Sequence, residues 1–170
     1  MIIAIDPGLK GGIAWKKNGK VEAIKMPDTP KAIKDFLDKV RIDIDPCGCG
    51  LAWHTPLEVK CYLEKVNAMP KQGCKGTWTF AEHYGTLKAI LLCLEIPMVE
   101  VSPQKWQKAI GASRPSLPDN ATPSQKEANK REGKKNIKQI VEARYPHLRI
   151  TLNTADALGI LMFAEKEERK

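Results

Sequence analysis

The stretch IIAIDPG at residues 2–8 carries the clearest structural signal in this 170-residue chain. It predicts a short apolar strand at 2–5 that ends in an acid, Asp6, and a Pro-Gly turn. A second strand resumes at 13–15, and Asn18 with Gly19 gives a strong two-residue hairpin signal before a third strand at 21–26. The chain is therefore expected to open with three antiparallel strands.

After the hairpin strands, helices alternate with two further strands. The predicted elements are a helix opening at Pro30, a buried strand at 59–66, a helix at 80–94, a strand at 97–101, and helices at 103–110, 124–145 and about 153–168. The buried stripe expected on the last helix is Ala157, Ile160, Leu161 and Ala164. This order and length predict one domain over 1–170 of the α/β class, with a central mixed five-stranded sheet flanked by helices.

Composition favours a soluble protein with an anionic partner. The net charge is +8 and the isoelectric point about 9.3, which is typical of proteins that neutralise nucleic-acid phosphates, although a basic surface also serves solubility. No apolar run reaches the length of a membrane span, and the first residues lack the pattern of a secretory signal. We therefore expect no membrane association and a cytoplasmic location.

Five cysteines do not form a regular disulfide framework. Cys61 and Cys93 lie in apolar runs and are predicted to be small core residues. Cys47, Cys49 and His54 offer three potential zinc ligands, but structural zinc sites normally use four. A mobile glycine-rich loop is the favoured interpretation of that segment.

Three acids, Asp6, Glu64 and Asp156, stand at apolar positions where acids are uncommon. Each has a structural explanation of its own. Asp6 can cap its turn, Glu64 can pair with Lys65, and Asp156 can favour a helix N-terminus.

Together the three acids indicate a metal site. They would converge if the first and fourth strands were neighbours and the last helix packed across their ends. Such a cluster needs a cation to offset its repulsion, and oxygen ligands favour Mg²⁺ or Mn²⁺. Two such ions about 3.5–4 Å apart can activate water against a phosphodiester and stabilise the leaving oxygen. The predicted chemistry is metal-assisted phosphoryl hydrolysis.

Several motifs, in order along the chain, resemble those of the RuvC family of Holliday-junction resolvases, and of its phage-type branch in particular. They are IAIDPG at 3–8 with GGIA at 11–14, YLEKV at 62–66, MPKQG at 69–73, the segment 77–85, VSP at 101–103 with Trp106, and ADAL at 155–158. The resemblance implies an RNase H-like fold and a homodimer that nicks opposed strands of branched DNA. It implies a Mg²⁺-dependent crossover junction endodeoxyribonuclease of recombination or phage DNA processing, in a bacterial or phage-infected host cell.

By the same resemblance, Asp6, Glu64 and Asp156 are the metal ligands, and a fourth acid is expected one helical turn before Asp156. This chain has Asn153 there, which offers a carbonyl oxygen without charge. Three explanations of Asn153 remain open: a natural variant that is still active, a chain with reduced activity, or an engineered change from Asp to Asn. Our hypothesis is that three carboxylates and Asn153 support slow nicking. A second departure, Asn67 in place of an aromatic wedge, weakens the expectation of strict four-way-junction preference.

Basic and aromatic residues around these motifs are predicted to hold DNA by its shape, because phosphate contacts do not read sequence. The candidates are Lys71, Gln72, Lys75, Trp78, Lys105, Lys108, Lys130 and Lys134. Trp78 and Phe80 can stack on an unpaired base, although for Phe80 a core position is favoured. The apolar stripe of the helix at 80–94 favours the core, so dimerisation there depends on the resemblance.

Three alternatives remain open from the sequence. The first is another RNase H-like nuclease, acting on RNA–DNA hybrids or flaps. The second is a non-catalytic or weakly active branched-DNA-binding protein, in which Asn153 marks lost activity. The third is a zinc-stabilised binding module.

Overall fold

The computed structural model describes residues 1–42, 59–66, 73–118 and 120–169. Several predictions lie outside these residues. They are the candidate zinc ligands Cys47, Cys49 and His54, the missing wedge at Asn67, and the DNA contacts of Lys71 and Gln72.

The sheet has five strands in the order β3-β2-β1-β4-β5. The strands are β1 (Ile2–Asp6), β2 (Gly12–Lys17), β3 (Lys20–Lys25), β4 (Lys60–Glu64) and β5 (Met98–Val101). The first three form antiparallel hairpins, whereas β1, β4 and β5 run parallel. The turn between β2 and β3 has positive φ at both Asn18 (49°) and Gly19 (81°), the geometry that matches the twist of a hairpin. The mixed five-stranded sheet is confirmed.

In the ranges given above, five helices cover the two faces of the sheet. They are α1 (Pro30–Ile42), α2 (Cys74–Cys93), α3 (Pro103–Ala109), α4 (Pro123–Arg144) and α5 (Leu152–Glu167). Side chains of α1 and α2 form one core with Ile3, Ile5 and Ile13, and side chains of α3, α4 and α5 form a second core on the opposite face. Within the described residues, no helix is long and apolar enough to cross a bilayer.

The last helix is buried almost all round, which goes beyond the predicted stripe. The four predicted residues are buried, and so are Leu158, Gly159 and Phe163 on other sides of α5. The helix lies directly across β1 and β2 while α3 and α4 cover its outer side. Neighbours on every side explain why its sequence lacks an amphipathic period.

Two predictions outside the site are wrong. Helix α2 begins at Cys74 rather than at Phe80, because its first turns contain Gly76 and two threonines, residues of low helix propensity that hid the start. Cys93 is exposed at the end of that helix, whereas Cys61 is buried as predicted. An apolar run on a surface helix includes positions that face outward, and Cys93 occupies one of them.

Candidate active site

Asp6 and Glu64 lie side by side at the ends of adjacent parallel strands. Ala4 pairs with Tyr62 across β1 and β4, so the residues two places further on, Asp6 and Glu64, are level with each other and on the same face. That face is the one covered by α5. The sequence-based expectation that the first and fourth strands are neighbours is confirmed.

The beginning of α5 brings Asp156 to the same place. Asp6 pairs with Gly12 across β1 and β2. A Cβ added to Gly12 would lie 2.5 Å from the carbonyl oxygen of Asn153, so only glycine lets the helix approach this closely. The beginning of α5 is thereby held against the strand pair that carries Asp6, with Asp156 one turn beyond Asn153.

The pKa values of all three carboxyl groups are raised. Burial raises the pKa of Asp6 well above its usual range, and the charges of Glu64 and Asp156 raise it further. Burial also raises the pKa of Glu64 and of Asp156, and the charge of Asp156 adds to the rise at Glu64. The side-chain contact between Asp6 and Glu64 adds to the rise in the pKa of Asp6 and opposes the rise in the pKa of Glu64.

Two cations act on the cluster through their charge. The charge of Lys134, on α4, lowers the pKa of Asp6, Glu64 and Asp156 alike, and that of Arg114 lowers the pKa of Asp156. The stem of Arg114 crosses α4 at Gly133, where an added Cβ would lie 2.2 Å from Arg114 Cδ. Lys134 was a candidate from the sequence. Arg114 was missed, because it lies in a proline-rich loop without periodicity.

Trp106 contacts the cluster from the core. Its indole Nε1 donates a hydrogen bond of 2.8 Å to Glu64 Oε1, and its side chain is completely buried. The sequence placed Trp106 only as a motif residue between the candidate phosphate ligands Lys105 and Lys108. The available signal was one large apolar residue in an otherwise polar short helix, which is typical of a core anchor.

The start of α2 lies beside the turn that follows Asp6. The Phe80 ring is half-buried there, with one carbon 3.2 Å from where a Cβ of Gly8 would stand, and the Gly8 N–H donates to His83 Nδ1 at 3.2 Å. Lys75 and Trp78 are exposed on the same helix, Trp78 by 74%. Stacking of Trp78 on DNA stays a prediction, and the bracing role of His83 was missed.

The remaining basic candidates do not contact the acids. Lys105 reaches Glu167 at 3.9 Å and lies over the Phe163 ring, near the end of α5 opposite to Asp156. Lys108 and Lys130 are exposed on α3 and α4. Their contacts with DNA stay predictions.

The chemistry of the donor set fits a divalent cation. Three partly buried carboxylates with raised pKa values are stabilised as anions when a divalent ion offsets their repulsion, and oxygen ligands suit Mg²⁺ and Mn²⁺. Across the described part of the chain, no three His, Cys, Asp or Glu side chains are arranged to hold one ion directly. Holding one ion with all three acids therefore requires their side chains to rearrange.

Comparison with known proteins establishes the fold. No family model matches the sequence, and no curated protein sequence does. Among solved structures, T. thermophilus RuvC in complex with a Holliday junction substrate matches with a TM-score of 0.54 at 12% identity, covering 99% of this chain and 94% of that chain. Another Thermus thermophilus RuvC structure matches with a TM-score of 0.52 at 14% identity, covering 99% and 95%. The chain has the RuvC-like form of the RNase H-like fold.

Proposed function

We propose that this protein is a divalent-metal-dependent endonuclease that nicks branched DNA, a crossover junction endodeoxyribonuclease. The observation that carries the proposal is the convergence of Asp6, Glu64 and Asp156 on one face of the sheet, where each is destabilised as an anion. Buried like charges are costly, and a resident cation offsets that cost. The proposed setting is recombination or phage DNA processing in the cytoplasm of a bacterium or a phage-infected cell.

In this proposal, Asp6, Glu64 and Asp156 hold Mg²⁺ or Mn²⁺, and Asn153 adds a neutral oxygen. The ions would supply an activated water and stabilise the leaving oxygen of the phosphodiester. The charges of Lys134 and Arg114 now act on the carboxylates, Lys134 on all three and Arg114 on Asp156. Once metal charge replaces theirs, both cations are available to the DNA phosphate beside the cut.

Branched DNA as the substrate is supported by shape and charge. One of the matching RuvC structures named above is in complex with a Holliday junction substrate. This chain carries a net charge of +8, and its exposed cations include Lys130 and Lys134 on α4. Such contacts position a duplex without reading bases, which suits recognition of a junction, fork or flap.

A homodimer is part of the same proposal. Helix α2 buries Leu87 and Leu91 in the core but leaves Trp78 and Leu92 exposed, Leu92 by 78%. Covering this apolar helix face with a second copy of the chain removes it from water and is therefore favourable. Two copies would supply the two active sites that cutting opposed strands requires.

A substrate panel tests the proposal. Labelled four-way junctions, forks, flaps and RNA–DNA hybrids are incubated with Mg²⁺, Mn²⁺ or a chelator, using protein that elutes at the mass of a dimer. We expect metal-dependent nicking of branched DNA, reduced at least about 100-fold by Glu64→Gln because a direct ligand is lost. The matched control, Glu22→Gln, changes an exposed glutamate on β3 that pairs with Lys20 and should leave the rate unchanged.

The other outcomes of the panel would assign a different function to the protein. Junction binding without cleavage in either metal makes it a branched-DNA-binding protein, the alternative that Asn153 favours. Preferential cleavage of hybrids makes it an RNase H-like nuclease with a different substrate. A chain that elutes only as a monomer removes the dimer from the proposal.

The basic face of α4 gives a separate prediction. Lys134→Ala is expected to weaken junction binding similarly for all branched substrates and to reduce the slope of log K against log salt by about 1, because one phosphate contact is lost. Binding is measured in chelator, so that cleavage does not interfere. The control is Lys31→Ala on α1, whose exposed side chain pairs with Asp35. An unchanged slope would remove Lys134 from the DNA interface.

A further inference from the structure

Trp106 is held between the two elements that carry Glu64 and Asp156. On one side its indole N–H donates to Glu64 Oε1 at 2.8 Å. On the other side, a Cβ added to Gly159 would lie 2.7 Å from Trp106 Cζ3. Gly159 follows Asp156 by one turn on the same side of α5, so the indole spans the gap between the strand and the helix.

The short helix that carries Trp106 is anchored to the sheet. Strand β5 pairs with β4, and the Lys65 N–H donates to the Val101 carbonyl at 2.7 Å. Helix α3 begins immediately afterwards, with Ser102 as its N-cap and Pro103 in its first turn. The indole therefore enters the core from a fixed starting point, and Ile110 at the end of α3 also packs near Gly159.

We propose that Trp106 is a positioning residue that fixes the Glu64 carboxylate relative to Asp156 for metal binding, an inference that rests on the proposed function. With Oε1 engaged by the indole, Oε2 is the oxygen left available to a cation. A glutamate has three rotatable side-chain bonds, and a buried donor limits them to one arrangement. Ligation by a carboxylate is commonly tuned by a hydrogen-bonding partner of this kind.

Trp106→Phe tests the inference, because it removes the indole N–H and keeps most of the apolar ring. Binding of Mn²⁺ and Mg²⁺ is measured by calorimetry without DNA, alongside denaturant unfolding. We expect a dissociation constant weaker by about 10- to 100-fold in a folded protein. The control is Trp15→Phe, which truncates a buried tryptophan on the opposite face of the sheet, where it packs on Phe36. It should lose stability without a change in metal affinity.

A double variant separates positioning from packing. In the Glu64→Gln background, Trp106→Phe should add no further loss of metal affinity, because the group that the indole positions is already gone. The inference is overturned if Trp106→Phe causes a second full loss of metal affinity in that background. It is also overturned if the Trp106→Phe protein is folded and its metal affinity is unchanged.

A measurement on the unmodified chain keeps the test independent of whether Trp106→Phe folds. In a nitrogen-labelled sample, the indole N–H resonance of Trp106 should move on titration with Mg²⁺ and move less in Glu64→Gln. A resonance that does not respond while Mg²⁺ binds overturns the inference. If metal binds and the resonance responds but no DNA is cut, the proposed nuclease function fails and the positioning role stands. If no divalent ion binds, both fail.

Discussion

Asp6→Asn abolishes metal-dependent cleavage and makes the metal-free protein more stable at neutral pH; this is the largest change that we expect from one substitution. Burial and the charges of Glu64 and Asp156 raise the pKa of Asp6 well above its usual range. The folded chain therefore holds this proton more tightly than the unfolded chain, whose aspartates titrate near ~3.9. The stabilising effect is complete below that unfolded value and is lost as pH rises through the folded pKa. Asparagine does not titrate, so the variant avoids the free-energy cost of an ionised, buried Asp6.

Thermal unfolding at a series of pH values, with chelator present, measures the stability change. As pH rises above the unfolded pKa, the wild-type chain should lose stability relative to Asp6→Asn. The melting temperature should differ by ~2–4 °C for each kcal/mol of repulsion relieved. Mg²⁺ should raise the melting temperature of the wild type and leave that of the variant unchanged, because the variant lacks a charged ligand. Equal pH dependence of the two proteins, or cleavage by the variant, would contradict the prediction.

Asp35→Asn is a control whose effect on stability should have the opposite pH dependence. Asp35 is an exposed residue on α1, and its hydrogen bond with Lys31 lowers its pKa. Its contribution to stability is present above the unfolded pKa and is lost as pH falls through the folded value. Removing it should cost a little stability at neutral pH, with no effect on cleavage or on stabilisation by Mg²⁺.

Much of the sheet could be predicted because it depends on local signals. The Asn18-Gly19 turn sets the register of the β2–β3 hairpin, and the two-residue period of a strand sets which side chains share a face. Once β1 and β4 are neighbours, that period places Asp6 and Glu64 together. The position of Asp156 needed one more condition, the packing of α5 across the strand ends. The close approach at Gly12 meets that condition, and the GGIA motif at 11–14 contains this glycine.

The contacts that support the acids could not be predicted in the same way. Trp106 donates to Glu64, the charge of Arg114 lowers the pKa of Asp156, and His83 accepts from the turn after Asp6, each from an element distant along the chain. Helical periodicity reports that a residue faces inward but not which polar atom it meets there. Arg114 lies outside any helix or strand, so no periodicity marks it. Its side chain packs closely over Gly133 on α4, a contact that the sequence does not reveal.

Asn153→Asp should strengthen metal binding and speed cleavage, at a cost to the metal-free protein. Asn153 lies one turn before Asp156 in the first turn of α5, where the helix dipole favours negative charge. A fourth carboxylate adds repulsion that only a cation offsets, so we expect a lower melting temperature in chelator. The expected gain in Mg²⁺ affinity is about tenfold, or ~1.4 kcal/mol, because affinity for hard cations rises with the number of charged ligands. Calorimetry and the Mg²⁺ dependence of junction cleavage measure it, with Asn136→Asp on α4 as the charge-matched control. If Asn153→Asp cuts no faster and binds Mg²⁺ no more tightly than the unmodified chain, Asn153 does not belong to the ligand set, and the ions are held by Asp6, Glu64 and Asp156 without it.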